Sequence, residues 1–302
     1  MAYHSGFVTL IGRPNVGKST LLNRLVGTKL SIVSEKPQTT RNVIRGVVFR
    51  PDGQIVFLDT PGLHQPKSAL ERFMVQAAQK TLDDVDVVVW MTDATMHSGD
   101  QDREIASLLA AVHTPVLLAV NKIDAVSKGE VVVALDRYTA LYPFTAVYPI
   151  SATRGDGVDA LLDDLFERMP EGPPYFPEGT VTDLPESVLV AEIIREKILQ
   201  LTHAEVPHAV AVVVEEMAER TPQHPEKPPY LEVRATIYVE RESQKQIVIG
   251  KNGQMLRKIG TEARQELEAL LGIHLFLSLW VKVREEWRNR PSALRAFGFT
   301  EE

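Results

Sequence analysis

A glycine-rich loop between an apolar run and a helical run constrains the fold of this chain more than any other feature. The apolar run FVTLI ends at Ile11, and the loop GRPNVGKS follows at residues 12–19. The loop fits the pattern G-x-x-x-x-G-K-[ST], in which glycines let backbone N–H groups surround phosphate oxygens. A strand must lead into such a loop and a helix must leave it, because the helix N-terminus adds partial positive charge. The pattern therefore predicts a phosphate-binding fold built from strands and helices.

Runs typical of strands alternate with runs typical of helices from the N-terminus to Met169. VDVVVWMTDA and PVLLAVNKID are almost unbroken apolar runs, which is typical of strands buried on both faces of a parallel sheet. VIRGVVFR and QIVFLDT are separated by PDG, which predicts one hairpin. The alternation predicts the α/β class, with a mostly parallel sheet and helices on both faces.

A proline- and glycine-rich stretch at residues 170–186 interrupts this alternation, because it cannot continue the preceding helix. A different order follows it: helix, strand, strand, two helices around a second glycine loop, and a final strand. We therefore predict a nucleotide-binding domain at 1–170, a linker at 171–186 and a smaller α+β domain at 187–302.

Composition excludes several classes of protein and favours a polyanion partner. The chain has no cysteine, so disulfides and thiolate metal sites are excluded. No signal peptide is expected, and no apolar run reaches the ~20 residues that cross a bilayer. The net charge is −7, yet residues 227–299 carry 13 Lys and Arg against 8 Asp and Glu. This basic end favours a polyanion partner; an uneven solvated surface is the alternative.

Side chains around the first loop are suited to a triphosphate and its metal. Lys18 can reach the β- and γ-phosphates, and Ser19 can ligate Mg²⁺. The strand IVFLD ends at Asp59, whose carboxylate can hold Mg²⁺ through water, and the Gly62 N–H can meet the γ-phosphate. We assign the phosphate contacts to Gly12, Asn15, Val16, Gly17, Lys18, Ser19, Thr20 and Gly62.

Two further strand ends carry groups that match a guanine base. The motif NKID supplies Asn121, Lys122 and Asp124, and this carboxylate can accept two hydrogen bonds from a guanine edge that adenine does not offer. Ser151 and Ala152 follow the next strand, where a backbone N–H can reach the guanine carbonyl. Ligands bind at the carboxyl ends of the strands in open parallel sheets, so these groups are expected to meet there. NKID argues against a kinase or an ATPase.

GRPNVGKST, PQTTR, DTPGLH, NKID and SAT together resemble the Ras-like GTPases, and they look most like the Era branch of that superfamily. The resemblance implies a G domain that hydrolyses GTP to GDP and phosphate with Mg²⁺. It implies that Thr40 ligates Mg²⁺ when GTP is bound, with Thr39 as the alternative. It also implies that Asn15 holds a K⁺ ion that acts like an arginine finger; the alternative is that Asn15 only braces the loop.

One departure from Ras concerns the chemistry. Leu63 follows DTPG at the position where Ras has a glutamine that orients water, and an aliphatic side chain cannot do this. Intrinsic hydrolysis is therefore expected to be slow, or assisted by another group. His64 is interpreted as a loop histidine rather than a base. The segments KPQTTRNV and PGLHQPKSALER flank the γ-phosphate site and are predicted to switch between ordered and released states.

The second glycine loop, GKNG at residues 250–253, lacks the rest of a phosphate-loop motif. Apolar residues at helical spacing follow it, with Ile259, Ala263 and Leu267 on one stripe and basic residues near the other face. A helix–GXXG–helix of this kind matches a KH domain, which clamps about four nucleotides of single-stranded RNA. The predicted RNA-binding residues are Ile249, Gly250, Lys251, Asn252, Gly253, Arg257 and Lys258.

The order of elements resembles a type II KH domain, and Era-family GTPases pair such a domain with a G domain. By that resemblance the partners are GTP or GDP, the small ribosomal subunit and the 3′ end of its ribosomal RNA. The implied role is small-subunit maturation by a cytoplasmic monomer. The alternative is a GTPase whose KH-like domain binds protein, or binds the inner face of the cell membrane as a peripheral contact.

Two features near the C-terminus each have a structural and an RNA-binding interpretation. Trp280 is predicted to lie in the core rather than to stack on bases. The stretch EEWRNRPSALR, residues 285–295, extends the RNA surface or forms a basic terminal helix, and the sequence does not decide between them.

Overall fold

A computed structural model of the protein describes residues 2–34, 36, 39–221 and 228–299. The chain divides into two units: Met1–Lys67 with Glu71–Asp183, and Ser68–Leu70 with Leu184–Glu302. Most of the stretch predicted as a linker belongs to the first unit. The N–H groups of Tyr175 and Phe176 donate to Gln54 Oε1 at 2.6 and 3.0 Å, and the Val47 N–H donates to the Val181 carbonyl at 2.9 Å.

The first unit contains a six-stranded sheet in the order β2-β3-β1-β4-β5-β6. Every neighbouring pair is parallel except β2 and β3, which form the predicted hairpin. The mostly parallel sheet with helices is confirmed. The strands are β1 His4–Ile11, β2 Ile44–Arg50, β3 Gly53–Asp59, β4 Val87–Asp93, β5 Val116–Asn121 and β6 Ala146–Pro149.

Helices connect these strands and cover them. Every residue of β3, β4 and β5 is buried, which explains their almost unbroken apolar sequences. Because these strands run in the same direction, their last residues, Asp59, Asp93 and Asn121, come to one edge of the sheet. The helices are α1 Lys18–Val26, α2 Ala69–Lys80, α3 Asp100–Leu109, α4 Lys128–Thr139 and α5 Val158–Glu167.

The second unit contains a three-stranded sheet, β7-β8-β9, in which β7 and β8 are antiparallel and β8 and β9 are parallel. α8 and α9 stand on either side of the second glycine loop, as predicted. The elements are α6 Glu186–Leu201, α7 Val206–Ala209, β7 Ala211–Arg220, β8 Tyr230–Val239, α8 Glu242–Ile249, α9 Gln254–Leu271, β9 His274–Val283 and α10 Pro291–Ala296.

The start of β7 differs from the prediction. The stretch HAVAVVVEEMAE predicts a strand from His208 to Glu219, but residues 206–209 form a helical turn and the strand begins at Ala211. Pro207 lies in the first turn of α7, where its fixed φ favours the helix and its missing N–H costs nothing. Local backbone geometry therefore overrides the strand pattern at this point.

The stripe predicted on α9 is present, since Ile259, Ala263 and Leu267 are buried. The prediction for Trp280 is wrong: its side chain is 47% exposed. Side chains alternate along β9, and Leu275, on the opposite face to Trp280, is buried. Because β9 carries apolar residues on both faces, its sequence does not show which face meets the helices.

The C-terminal stretch 285–295 contributes a side chain to the core of the second unit. Trp287 is fully buried and donates from Nε1 to the Ala209 carbonyl at 2.8 Å, so part of the stretch 285–295 anchors the second unit. Within the described residues, no helix has both the length and the hydropathy needed to cross a bilayer.

Burial in the parallel sheet gives a stability prediction. Val88 in β4 is fully buried, whereas Val133 in α4 is 56% exposed. Val88→Ala removes two methyl groups from a packed layer and is expected to lower the free energy of unfolding by about 2 kcal/mol. Val133→Ala removes the same groups from a solvated helix and is expected to change it by less than about 0.5 kcal/mol. Urea unfolding of the full chain measures both, and equal midpoints for the two variants would contradict the assigned core.

Candidate functional site

The first glycine loop leads from β1 into α1 and surrounds the lysine at its end. Lys18 is the first residue of α1, and its ammonium group donates to the carbonyls of Gly12 at 3.2 Å and Arg13 at 3.0 Å. Gly17 is needed for a close approach, since a Cβ atom there would lie 2.2 Å from Asn121 Nδ2. The loop therefore joins the predicted phosphate site directly to the predicted guanine site.

Two buried charges of opposite sign lie beside this loop. Burial lowers the pKa of Lys18 to about 8, and the negative charge of Asp59 partly offsets that shift. Burial raises the pKa of Asp59, while Lys18 and three neighbouring hydroxyls act in the opposite direction. Phosphate oxygens next to Lys18 would favour its charged form in the same way as Asp59 does.

The predicted magnesium residues come together around Asp59. Its Oδ2 accepts hydrogen bonds from Ser19 at 2.7 Å and from Thr40 at 3.4 Å, and the two hydroxyl oxygens lie 2.9 Å apart. Asp59 Oδ1 is buried without a hydrogen-bond partner among the described residues. An unpaired buried carboxylate oxygen beside two hydroxyls fits Mg²⁺, which prefers hard oxygen ligands. Thr39, the alternative to Thr40, instead donates to the Lys36 carbonyl at 2.8 Å.

Sequence reasoning missed two residues that support this carboxylate. Ser31 is fully buried and donates to Asp59 Oδ2 at 2.8 Å. Asn23, on α1, holds the backbone there by accepting from the N–H groups of Leu30 and Ser31 at 2.9 Å each. Neither residue belongs to a recognisable motif, so only the folded chain brings them to Asp59. Pro37 and Gln38 of the predicted switch segment lie outside the described residues.

The segment after Asp59 packs against the phosphate loop. The Leu63 N–H donates to the Gly12 carbonyl at 3.1 Å, and the Leu63 side chain is buried in an apolar cluster that contains Ile11 and Trp90. Such a side chain cannot orient a water molecule. Nδ1 of His64 lies 2.8 Å from the Gly62 carbonyl. This local contact agrees with the interpretation of His64 as a loop histidine.

Asn121 links the phosphate loop to the loop after β6. Its Nδ2 donates to the Val16 carbonyl at 2.8 Å, and its Oδ1 accepts from the Ala152 N–H at 2.9 Å. The backbone donor predicted for the guanine carbonyl is thus bonded to Asn121, and a bound base would share it. Ser151 is fully buried, and its N–H donates to the Asp156 carbonyl at 2.9 Å.

The neighbouring charged residues are also held in place. Lys122 has a left-handed backbone, with φ of 63°, and its ammonium group lies 2.6 Å from Asp93 Oδ2. A non-glycine residue in this region is uncommon and is typical of functional sites. A hydrogen bond from the Ser151 hydroxyl lowers the pKa of Asp124, which keeps this carboxylate in its acceptor form. Asp93 is a further residue that the motifs did not indicate.

The second glycine loop is a 3₁₀ turn, Lys251–Gly253, between α8 and α9. Gly250 has φ of 71°, and a Cβ atom there would lie 2.6 Å from that of Met255, so no other residue fits. Lys251, Asn252, Arg257 and Lys258 are exposed, while Ile249 and Gly253 are half-buried. The predicted RNA-binding residues therefore form one surface at the start of α9.

A groove lies beside this loop, between α9 and β9, with a volume of about 370 Å³. Small residues at consecutive positions of α9, Gly260 and Thr261, leave room for it. Of the residues that line the groove, the sequence predicted only Gly253 and Arg257 as RNA-binding residues, because the groove depends on how α9 packs across β9. Its lining residues are Gly253, Leu256, Arg257, Gly260, Thr261, Arg264, Leu277 and Leu279.

The two sites define a P-loop GTPase joined to a KH domain. Residues 7–122 match a family described as 50S ribosome-binding GTPase, and residues 205–288 match the KH domain. GTPase Era of Carboxydothermus hydrogenoformans is 52% identical over 301 residues, which cover 100% of this chain and 99% of that protein. GTPase Era of Heliobacterium modesticaldum is 49% identical over 297 residues, which cover 98% and 97%. The chain belongs to the Era GTPase family.

Solved structures agree with this assignment. An Aquifex aeolicus Era variant bound to GDP and AlF₄⁻ has a TM-score of 0.93 and 43% identity, with 99% of this chain and 100% of that chain covered. Era in complex with MgGDPNP and nucleotides 1506–1542 of 16S ribosomal RNA has a TM-score of 0.94, 43% identity and the same coverage.

The guanine site gives a prediction about base selectivity. Asp124→Asn replaces an acceptor-only group by one that donates and accepts. Two hydrogen bonds from guanine to a carboxylate become one, so GDP affinity is expected to fall at least about 100-fold. Xanthine carries a carbonyl in place of the guanine amino group, so xanthosine diphosphate is expected to bind this variant more tightly than the wild type.

Nucleotide titrations of the wild type and the variant measure both effects. Asp136→Asn, an identical change at an exposed position of α4, is the matched control and is expected to leave both affinities unchanged. GDP and xanthosine diphosphate responding alike to Asp124→Asn would show that this side chain does not contact the base.

Proposed function

We propose that this protein is a GTP-hydrolysing switch whose KH domain binds the 3′ end of small-subunit ribosomal RNA and assists maturation of the small ribosomal subunit. The observation that carries the RNA assignment is the GXXG loop, which stands between two helices, exposes Lys251 and Asn252, and borders an open groove. Glycine at both ends of the loop lets a sugar–phosphate backbone approach closely. The Era complex with 16S ribosomal RNA supports this choice of partner.

In the proposed nucleotide site, each residue has a physical role. The loop N–H groups and Lys18 bind the phosphates, Asp124 and Ala152 recognise the guanine base, and Asn121 braces both loops. Mg²⁺, held by Ser19, Thr40 and, through water, Asp59, would neutralise charge on the β- and γ-phosphates. Contacts of Thr40 and Gly62 with the γ-phosphate side of the site would order the two switch segments, and hydrolysis would release them.

The proposed source of catalytic assistance is a K⁺ ion at Asn15. Leu63 is buried and cannot orient water, so hydrolysis is either slow or assisted by another group that stabilises the charge of the transition state. Asn15 is exposed at the tip of the phosphate loop and has a left-handed backbone, with φ of 64°. The exposed position of Asn15 and the amide oxygen of its side chain support this proposal.

Turnover in KCl and NaCl tests this proposal. If K⁺ acts like an arginine finger, GTP turnover in KCl is expected to exceed that in NaCl by at least about tenfold. Asn15→Ala is expected to remove the difference while GDP affinity stays equal in the two salts. Equal turnover of the wild type in both salts would reject the role of K⁺.

The RNA proposal is tested at Gly253, because a Cβ atom there would meet nothing within 4 Å. Gly253→Asp places a carboxylate where the RNA phosphates are expected, and Gly253→Asn places a neutral group of the same shape there. Both side chains tolerate the left-handed backbone at this position. Affinity for an oligonucleotide of the 16S 3′ end is expected to fall at least about tenfold more for Asp than for Asn.

Binding is measured with GDP and with a non-hydrolysable GTP analogue. Wild-type affinity for both variants would remove the RNA assignment and favour a protein or membrane partner. Equal RNA affinity in the two nucleotide states would remove the switch. We further propose that the protein acts as a monomer in the cytoplasm; a peripheral contact with the membrane stays a prediction.

A further inference from the structure

We infer that Arg24, in the last turn of α1, is a positioning residue for guanine recognition. Its Nε donates to the Ala152 carbonyl at 2.5 Å, and its Nη2 donates to the Thr153 carbonyl. These two carbonyls belong to the loop after β6 whose Ala152 N–H is the proposed donor to the guanine 6-oxygen. No motif includes Arg24, and the contact spans 128 residues of sequence.

The loop after β6 is held by side chains from two other elements of the domain. Asn121, at the end of β5, accepts from the Ala152 N–H at 2.9 Å, and Arg24 binds the carbonyl of the same residue. The peptide planes before and after Ala152 are therefore both fixed by side chains from other elements. Asn121 will share its hydrogen bond when a base binds, whereas the bond from Arg24 lies on the far side of the residue and can persist. Arg24 is thus the contact that can keep the donor oriented in the nucleotide complex.

The loop is shaped to admit the guanidinium group. Gly155 has φ of 97°, and a Cβ atom there would lie 2.9 Å from Arg24 Nη1. The Gly155 N–H donates to the Ser151 carbonyl at 2.7 Å, which closes the turn around this space. A side chain at position 155 would displace the guanidinium group of Arg24, so glycine at this position leaves room for the contact.

Arginine suits this task better than lysine. The guanidinium group is planar and carries five N–H donors in a fixed fork, so one side chain can bind two successive carbonyls. A lysine ammonium group is a compact point charge and would hold the pair less rigidly. The same helix carries Lys18 at its first residue and Arg24 in its last turn. α1 therefore sets the distance between the phosphate site and the loop after β6.

A nucleotide that lacks the 6-oxygen separates this role from a general effect on stability. The 2-aminopurine riboside diphosphate keeps the 2-amino group that Asp124 would bind but has neither the oxygen at position 6 nor the hydrogen at N1. It is therefore expected to bind every variant more weakly than GDP, and only its change between variants is compared. Arg24→Met keeps much of the length and removes the donors, so GDP affinity is expected to fall about fivefold, a modest loss because the side chain lies at the surface. Affinity for the 2-aminopurine nucleotide is expected to change less than about twofold, since the oriented donor has no acceptor there.

Two further variants complete the experiment on the full chain. Arg24→Lys is expected to recover part of the GDP affinity. Arg103→Met, at an exposed arginine that pairs with Asp100 in α3, is the matched control and is expected to leave both affinities unchanged. Equal losses for both nucleotides would mean that Arg24 only stabilises the domain, and an unchanged GDP affinity would mean that the loop keeps its position without Arg24. Either result overturns the inference.

Discussion

The buried pair Lys18 and Asp59 at the carboxyl edge of the sheet is the interaction on which the rest of the G domain depends. Burial disfavours both charges, and each partly compensates the other. Removing one partner would leave an uncompensated buried charge, which is far costlier than losing a surface ion pair. The hydroxyls of Ser19, Ser31 and Thr40 also stabilise the Asp59 carboxylate, although burial still keeps its pKa raised. A bound nucleotide and its metal would replace protein groups in this arrangement, so phosphate binding and local order are necessarily linked.

Residues of helix α1 hold three loops of the nucleotide site in place. Lys18 begins it, Asn23 holds the segment that carries Ser31, and Arg24 holds the guanine loop. A helix of nine residues is only about 14 Å long at 1.5 Å per residue, so phosphate, metal and base recognition share one rigid support.

The glycine loop of the KH domain differs from the phosphate loop of the G domain. Its GKNG loop presents exposed side chains beside an open groove, which suits an extended polynucleotide rather than a single triphosphate.

Prediction from sequence succeeded where the physical cause is local. The α/β class followed from apolar runs of strand length, and the helices around GKNG followed from the spacing of Ile259, Ala263 and Leu267. It failed where the cause was packing between distant segments. Trp280 is predicted to lie in the core because β9 is apolar on both faces, and only the folded sheet shows that its side chain lies on the face opposite buried Leu275. The start of β7 was misplaced because Pro207 favours a helical turn within an apolar run.

The sequence by itself determined which residues could bind phosphate, metal and guanine, because backbone-based motifs such as GRPNVGKS and NKID carry their geometry within a few consecutive residues. Only the tertiary structure decided what holds those motifs in place. Asn23, Ser31, Asp93 and Arg24 belong to no motif. Asn23 acts through the nearby backbone of Leu30 and Ser31, whereas the other three make polar contacts with segments farther away in the chain. Such contacts depend on the positions of whole helices and strands, and these positions are set by the packing of the core.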